Sequence, residues 1–249
     1  MNRAHIATQS IHSIKQIQEA GFSNITIDLI YGTPQLTNEE WINNIQLALN
    51  NNINHISAYA LTVEPNTALH SFIKKNKSKS INLDKQAEQF EILMNMLTMN
   101  EFEHYEISNF AKPGFRSKHN SSYWKRKKYL GIGPSAHSYN KKSRQWNIAN
   151  NALYIKSLEK NIIPFEQEIL TATQQLNEYI MISLRTIDGC SLDFIKEEFG
   201  EKKSIIVKEN AQIFINRKQI FLKNDFLILT TQGKLLADKI SAELFFEEN

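Results

Sequence analysis

A parallel α/β region followed by a small α+β domain of winged-helix type is the fold this sequence predicts. Three observations carry that reading. The first 110 residues alternate helical and strand periodicity, residues 111–165 lose that order, and after 165 come three helical stretches, a hairpin and a closing helix. The expected division is into residues 1–148 and 149–249.

Taken in order, Thr8 caps a helix carrying Ile11, Ile14 and Ile17, which Gly21 stops. The β-branched run from Asn24 to Gly32 reads as a buried strand. Thr37 and Glu40 form a capping box, with Trp41, Ile45 and Ala48 on the inner face of the helix that follows. His55 to Leu61 is a second strand. After an exposed lysine-rich loop at 74–80, residues 83–100 form a helix with Ala87, Phe90, Met94 and Leu97 in line. His104 to Phe110 reads as a third strand. This spacing defines parallel βαβ units, in a barrel or a doubly wound sheet. Downstream, Thr171 and Gln174 open a helix with Leu176, Tyr179, Ile180 and Leu184 on its apolar face and Gly189 at its C′ position. Ser191 caps a short helix ending at Gly200, a third helix follows, Asn224-Asp225 turns a hairpin, and a last helix starts near Thr231.

Composition narrows the classes. The 249 residues are 41% hydrophobic and 22% charged, enough for one large globular domain or one with an appendage. A formal charge of +3 selects no anionic partner. Only 8 glycines leave little material for a glycine-rich nucleotide loop. No apolar run is long enough to cross a bilayer, and the opening residues lack the order of a secretory signal, so a cytoplasmic location is expected. The single cysteine, Cys190, excludes an intrachain disulfide and a multi-cysteine metal site within this sequence. Trp41, Trp146 and most Phe residues are expected in the core.

Ligands of parallel α/β folds gather at the carboxyl ends of the strands, where this sequence is most polar. Asp28 lies within the first strand, ahead of Tyr31-Gly32-Thr33-Pro34. Tyr59 and Ala60 end the second, leading to Thr62 and Glu64, and Glu106, Ser108 and Asn109 end the third. An acidic residue inside an apolar strand costs several kcal/mol unless something accepts it, which makes Asp28 a site candidate. A buried aspartate satisfied by backbone or by Tyr31 is the alternative. Tyr59, Thr62, Glu64, Glu106 and Asn109 line the barrel mouth or cap helices, and neither role is assigned.

Five segments carry a resemblance to a known family. They are Asn2-Arg3-Ala4-His5, Ile27 to Pro34 (IDLIYGTP), Tyr105 to Gly114 (YEISNFAKPG), His119-Asn120-Ser121-Ser122-Tyr123-Trp124 and Gly131 to Tyr139 (GIGPSAHSY). In this order across residues 2–147 the chain resembles the oxygen-independent coproporphyrinogen III oxidases of the radical SAM family. Its HNxxYW run is similar to the haem-chaperone (HemW) branch. The resemblance implies the distal part of a partial (β/α) barrel with a small winged-helix-like carboxy-terminal domain. Family members begin with a barrel half carrying CxxxCxxC, whose thiolates hold a [4Fe–4S] cluster. That half is expected to be missing here, and this chain alone is expected neither to ligate the cluster nor to cleave S-adenosylmethionine.

Residue roles follow from the same resemblance. Arg3 pairs with the carboxylate of S-adenosylmethionine, Asp28 with its ribose, and Ala60 and His137 lie against its adenine. His119, Asn120, Tyr123 and Trp124 hold haem, with His119 as the axial ligand of its iron and Lys125, Arg126, Lys127 and Lys128 near its propionates. On residue types alone, a solvated arginine, a packed alanine, two loop histidines, two packed aromatics and a basic surface run are the plain alternatives. The implied function is a haem chaperone that binds S-adenosylmethionine and haem and passes haem to a recipient haemoprotein. The oxidase itself, decarboxylating coproporphyrinogen III, is the rival. A rival of another class is a nucleic-acid-binding winged helix using Lys202, Lys203, Lys208, Arg217 and Lys218, whose scattered placement makes nucleic acid a poor partner.

Overall fold

The structure, a computed structural model, describes residues 6–248. The chain divides into two compact units, residues 1–117 and 118–249.

The first unit opens with α1 (Ala7–Glu19). Thr8 does not cap it. Ile6 is the N-cap, and its N–H donates to Gln9 Oε1 at 2.9 Å, so the helix starts ahead of the expected boundary and takes in Thr8. Gly21 does stop it: at φ 91° it lets Gly21 N reach Gln18 O and Phe22 N reach Ile17 O, the paired bonds of a Schellman ending. Then come β1 (Thr26–Tyr31), α2 (Asn38–Asn50), β2 (His55–Ala60), α3 (Ala68–Lys74), α4 (Leu83–Met99), β3 (Glu103–Glu106) and β4 (Asn109–Ala111). The sheet order is β1-β2-β4-β3, with β1 parallel to β2 and β4 antiparallel to both its neighbours. The expected third strand is therefore a hairpin. Glu106 Oε2 accepts from Ser108 N at 3.0 Å and from Asn109 Nδ2 at 2.5 Å, and these bonds hold the reversal.

β1 also departs from the sequence reading. It pairs only with β2, so Ile27, Leu29 and Ile30 are half-buried and Thr26 and Asp28 are exposed, Tyr31 alone being buried. Helices cover one face of the sheet. Trp41, Ile45, Phe90, Leu93 and Leu97 are buried there against Ile56 and Phe110, and the Tyr31 ring stacks on Phe90 at 6.0 Å. That burial pushes the Tyr31 hydroxyl up to about 12. Gln89, fully buried, ties the layer together: its Oε1 accepts from Gly32 N at 2.7 Å and its Nε2 donates to Leu36 O at 3.1 Å. No closed barrel forms among the described residues; the sheet is open.

The second unit holds α5 (Lys118–Trp124), β5 (His137–Tyr139), β6 (Ser143–Asn147), α6 (Asn151–Leu158) and β7 (Phe165–Ile169), the strands forming an antiparallel sheet β5-β6-β7. It continues with α7 (Ala172–Leu184), β8 (Cys190–Ser191), α8 (Leu192–Phe199), α9 (Glu201–Asn216), β9 (Ile220–Lys223), β10 (Phe226–Leu229), α10 (Thr231–Lys234) and α11 (Ala237–Glu243). Helix, short strand, two helices and a hairpin, with sheet order β8-β10-β9, is winged-helix topology. The capping box of Thr171 with Gln174 forms, Ser191 caps α8, and Asn224 and Asp225 turn the hairpin with φ of 49° and 60°. Gly189 is not the C′ residue, because α7 ends at Leu184. It sits at φ 77° in the turn before β8, where a Cβ would lie 2.5 Å from Leu227 O. Trp146 is half-buried on β6 rather than a core residue.

Candidate functional site

Strand alternation gives the first unit's sheet two different faces. Opposite the helices, register sets Thr26 beside His55, Asp28 beside Ser57 and Ser57 beside Asn109. The strand expected around Asp28 forms, but the burial does not: its carboxylate is exposed and bears no burial cost. Next to it, Ser57 Oγ donates to Asn109 Oδ1 at 3.1 Å, and Asn109 leads on to the buried Glu106. Below this row, His55 Nδ1 meets Thr26 Oγ1 at 2.7 Å and His55 Nε2 meets the Tyr105 hydroxyl at 2.6 Å. Burial lowers the His55 pKa, against an opposing pull from Asp28, and burial raises that of Tyr105. Tyr59, above the row, is exposed. Ala60 falls on the other side of the pleat from Asp28, at the carboxyl end of β2 opposite Tyr31. The His55 network escaped the sequence reading, although the alternation of His55, Ser57 and Tyr59 with Ile56 and Ala58 signals one polar face.

In the second unit, α5 sets His119 and Tyr123 one turn apart. Their rings meet edge-on at 5.1 Å, and the run continues through Tyr129 at 4.9 Å to Tyr139 at 5.9 Å. His119 and Tyr123 are exposed, and Asn120 is half-buried between them in sequence. Trp124 is half-buried, its Nε1 sealed from solvent without a hydrogen-bond partner, with the Arg185 guanidinium 5.9 Å from its ring centroid. Lys125, Lys127 and Lys128 are exposed, while Arg126 Nε donates to the Tyr139 hydroxyl at 3.3 Å. His137, also exposed, lies 6.2 Å from the Trp146 ring and lines a cavity of about 370 Å³ with Ser135, Phe165 and Glu166. The four α5 residues are thus brought together. Asp28 and Ala60 belong to the first unit and His137 to the second, and Arg3 lies outside the described residues.

No family model matches the chain. Its fold is similar to the solved coproporphyrinogen III oxidase (HemN) of Escherichia coli, a radical SAM enzyme, with a TM-score of 0.76 and 16% identity over 98% of this chain and 60% of that one. The mixed α/β fold therefore matches the radical SAM fold of that structure, in a partial, open form.

Sequence similarity narrows this further. The chain is 30% identical over its whole length to the haem chaperone HemW of Lactococcus lactis, and 30% identical over 96% of its length to that of Bacillus subtilis. A putative haem chaperone HemW-like protein of Buchnera aphidicola is 36% identical over 55% of the chain. The chain is a homologue of the HemW haem chaperones, spanning 65% and 64% of the length of the first two.

Proposed function

We propose that this chain supplies the haem-holding surface, and part of the S-adenosylmethionine-holding surface, of a cytoplasmic haem chaperone that passes haem to recipient haemoproteins. The observation that carries the reading is the exposed His119 imidazole at the head of an aromatic run on α5, followed at once by basic residues. A neutral imidazole suits haem iron, flat rings suit a macrocycle, and exposed lysines suit propionates. Haem supplies an open iron coordination position; the chain's part is to ligate, orient and release it. The residues present fit that group.

S-adenosylmethionine fits more narrowly. Within the first unit, exposed Asp28 suits a ribose diol and small, exposed Ala60 leaves room for a flat base; within the second, exposed His137 offers a flat ring. The [4Fe–4S] cluster does not fit this chain. Cys190 is fully buried with its thiol pushed up to about 12, and the described residues hold no other cysteine. No step is therefore assigned to a cluster here, and decarboxylation of coproporphyrinogen is not part of the reading.

Nucleic-acid binding draws no support. The exposed face of α9 sets Lys202 and Lys208 among Glu201, Glu209, Ile205 and Ile213, and Lys203 lies over the Phe246 ring. Haemin titration followed at the Soret band tests the proposal. Saturable one-to-one binding is expected, weakened about tenfold or more by His119→Ala. Equal binding by both proteins would remove His119 from the site.

A further inference from the structure

Residues 244–248, after α11, form neither helix nor strand, yet side chains of the second unit hold them at three points. Asn177, on α7, clamps the backbone of Phe246: its Nδ2 donates to Phe246 O at 2.8 Å and its Oδ1 accepts from Phe246 N at 2.9 Å. This reads an extended backbone as an added strand would, whatever the side chain. The Lys203 ammonium stands 5.3 Å from the centroid of the Phe246 ring, a contact that favours an aromatic residue. Thr171 Oγ1 donates to Glu248 Oε1 at 2.6 Å. Thr171 is also the N-cap of the 13-residue α7, so that carboxylate lies at the positive end of a helix, which favours an acid. Beside the clamp, a cavity of about 250 Å³ lined by Asn177, Met181, Leu170 and Phe245 leaves room for one further side chain.

We propose that this face of α7 is a peptide-docking groove, occupied in cis by residues 245–248, whose partners are extended segments with an aromatic residue and, two positions on, an acid. The backbone clamp provides affinity without regard to sequence, and Lys203 and the α7 N-terminus provide the selection. The cis segment is suited to exchange. Glu247 and Glu248 are exposed and Phe245 is 38% exposed, whereas Leu244, just before them, is fully buried and anchors α11 without their help.

The probe is a fluorescein-labelled Phe-Phe-Glu-Glu amide, read by anisotropy against the full chain and against a chain ending at Leu244. The shortened chain should bind about tenfold more tightly, because its internal competitor is gone. Asn177→Ala in the shortened chain should abolish binding, as should replacing both acids of the peptide by lysine. In the full chain, Phe246→Ala should raise peptide affinity in the same direction with no change of chain length. Equal affinity for the full and shortened chains overturns the proposal. So does a shortened chain that fails to fold by circular dichroism, since the segment is then a structural brace. Concentration-dependent dimers formed by tail exchange, with no peptide binding, overturn it as well.

Discussion

The two units finish their sheets differently. In the winged-helix part, β10 is paired on both sides, and Leu227 and Leu229 are buried. In the first unit the helix-covered face buries apolar side chains, and the other carries a polar row in which His55, Ser57 and Asn109 are buried while Asp28 and Tyr59 are exposed, with β1 left as an edge. A closed core serves the fold. A polar row that is hydrogen-bonded where it is buried offers a ligand only the groups that reach solvent, Asp28 and Tyr59. On this face the candidate ligand groups lie where the row emerges, at Asp28 and Tyr59, and not along its buried part.

The contrast is easiest to break on its packed side. Trp41→Ala removes a fully buried indole whose Nε1 donates to Gln89 O at 2.8 Å, and should cost about 3–5 kcal/mol in denaturant unfolding. Gly189→Ala, at φ 77° against Leu227 O, should cost about 1–3 kcal/mol and be felt in the winged-helix part alone. A smaller effect comes from His55. Burial holds its folded pKa below the ordinary 6.5, so its contribution is complete above that pH and is lost as pH falls through the lowered value. Stability measured from pH 7.5 downward should therefore decline below about 6.5, with a shallower slope in His55→Asn. The smallest effect sharpens the comparison most. Asp28→Asn should leave the unfolding midpoint unchanged yet weaken S-adenosylmethionine binding in equilibrium dialysis. Equal stability losses for Trp41→Ala and Asp28→Asn would erase the distinction between the two faces.

Elements with local signals were legible in the sequence. The capping boxes at Thr37 and Thr171, the Gly21 stop, the Ser191 cap and the Asn224-Asp225 turn all appear as their chemistry requires. What escaped depends on partners distant in sequence. The apolar run of β1 gives no sign that it lies at an edge, and His104 to Phe110 gives none that Glu106 folds it back on itself. The apolar neighbours of Asp28 in sequence suggest a burial that the exposed carboxylate does not have. The HNxxYW residues were legible as a motif, but only α5 shows that His119 and Tyr123 share one exposed face.

Hydrogen exchange of the chain with and without haemin tests the central claim most directly. The account predicts protection confined to peptides covering α5 and the residues as far as Tyr139, with those covering β1 and β2 unchanged. Protection of β1 and β2, of α9, or of no peptide at saturating haemin would contradict it.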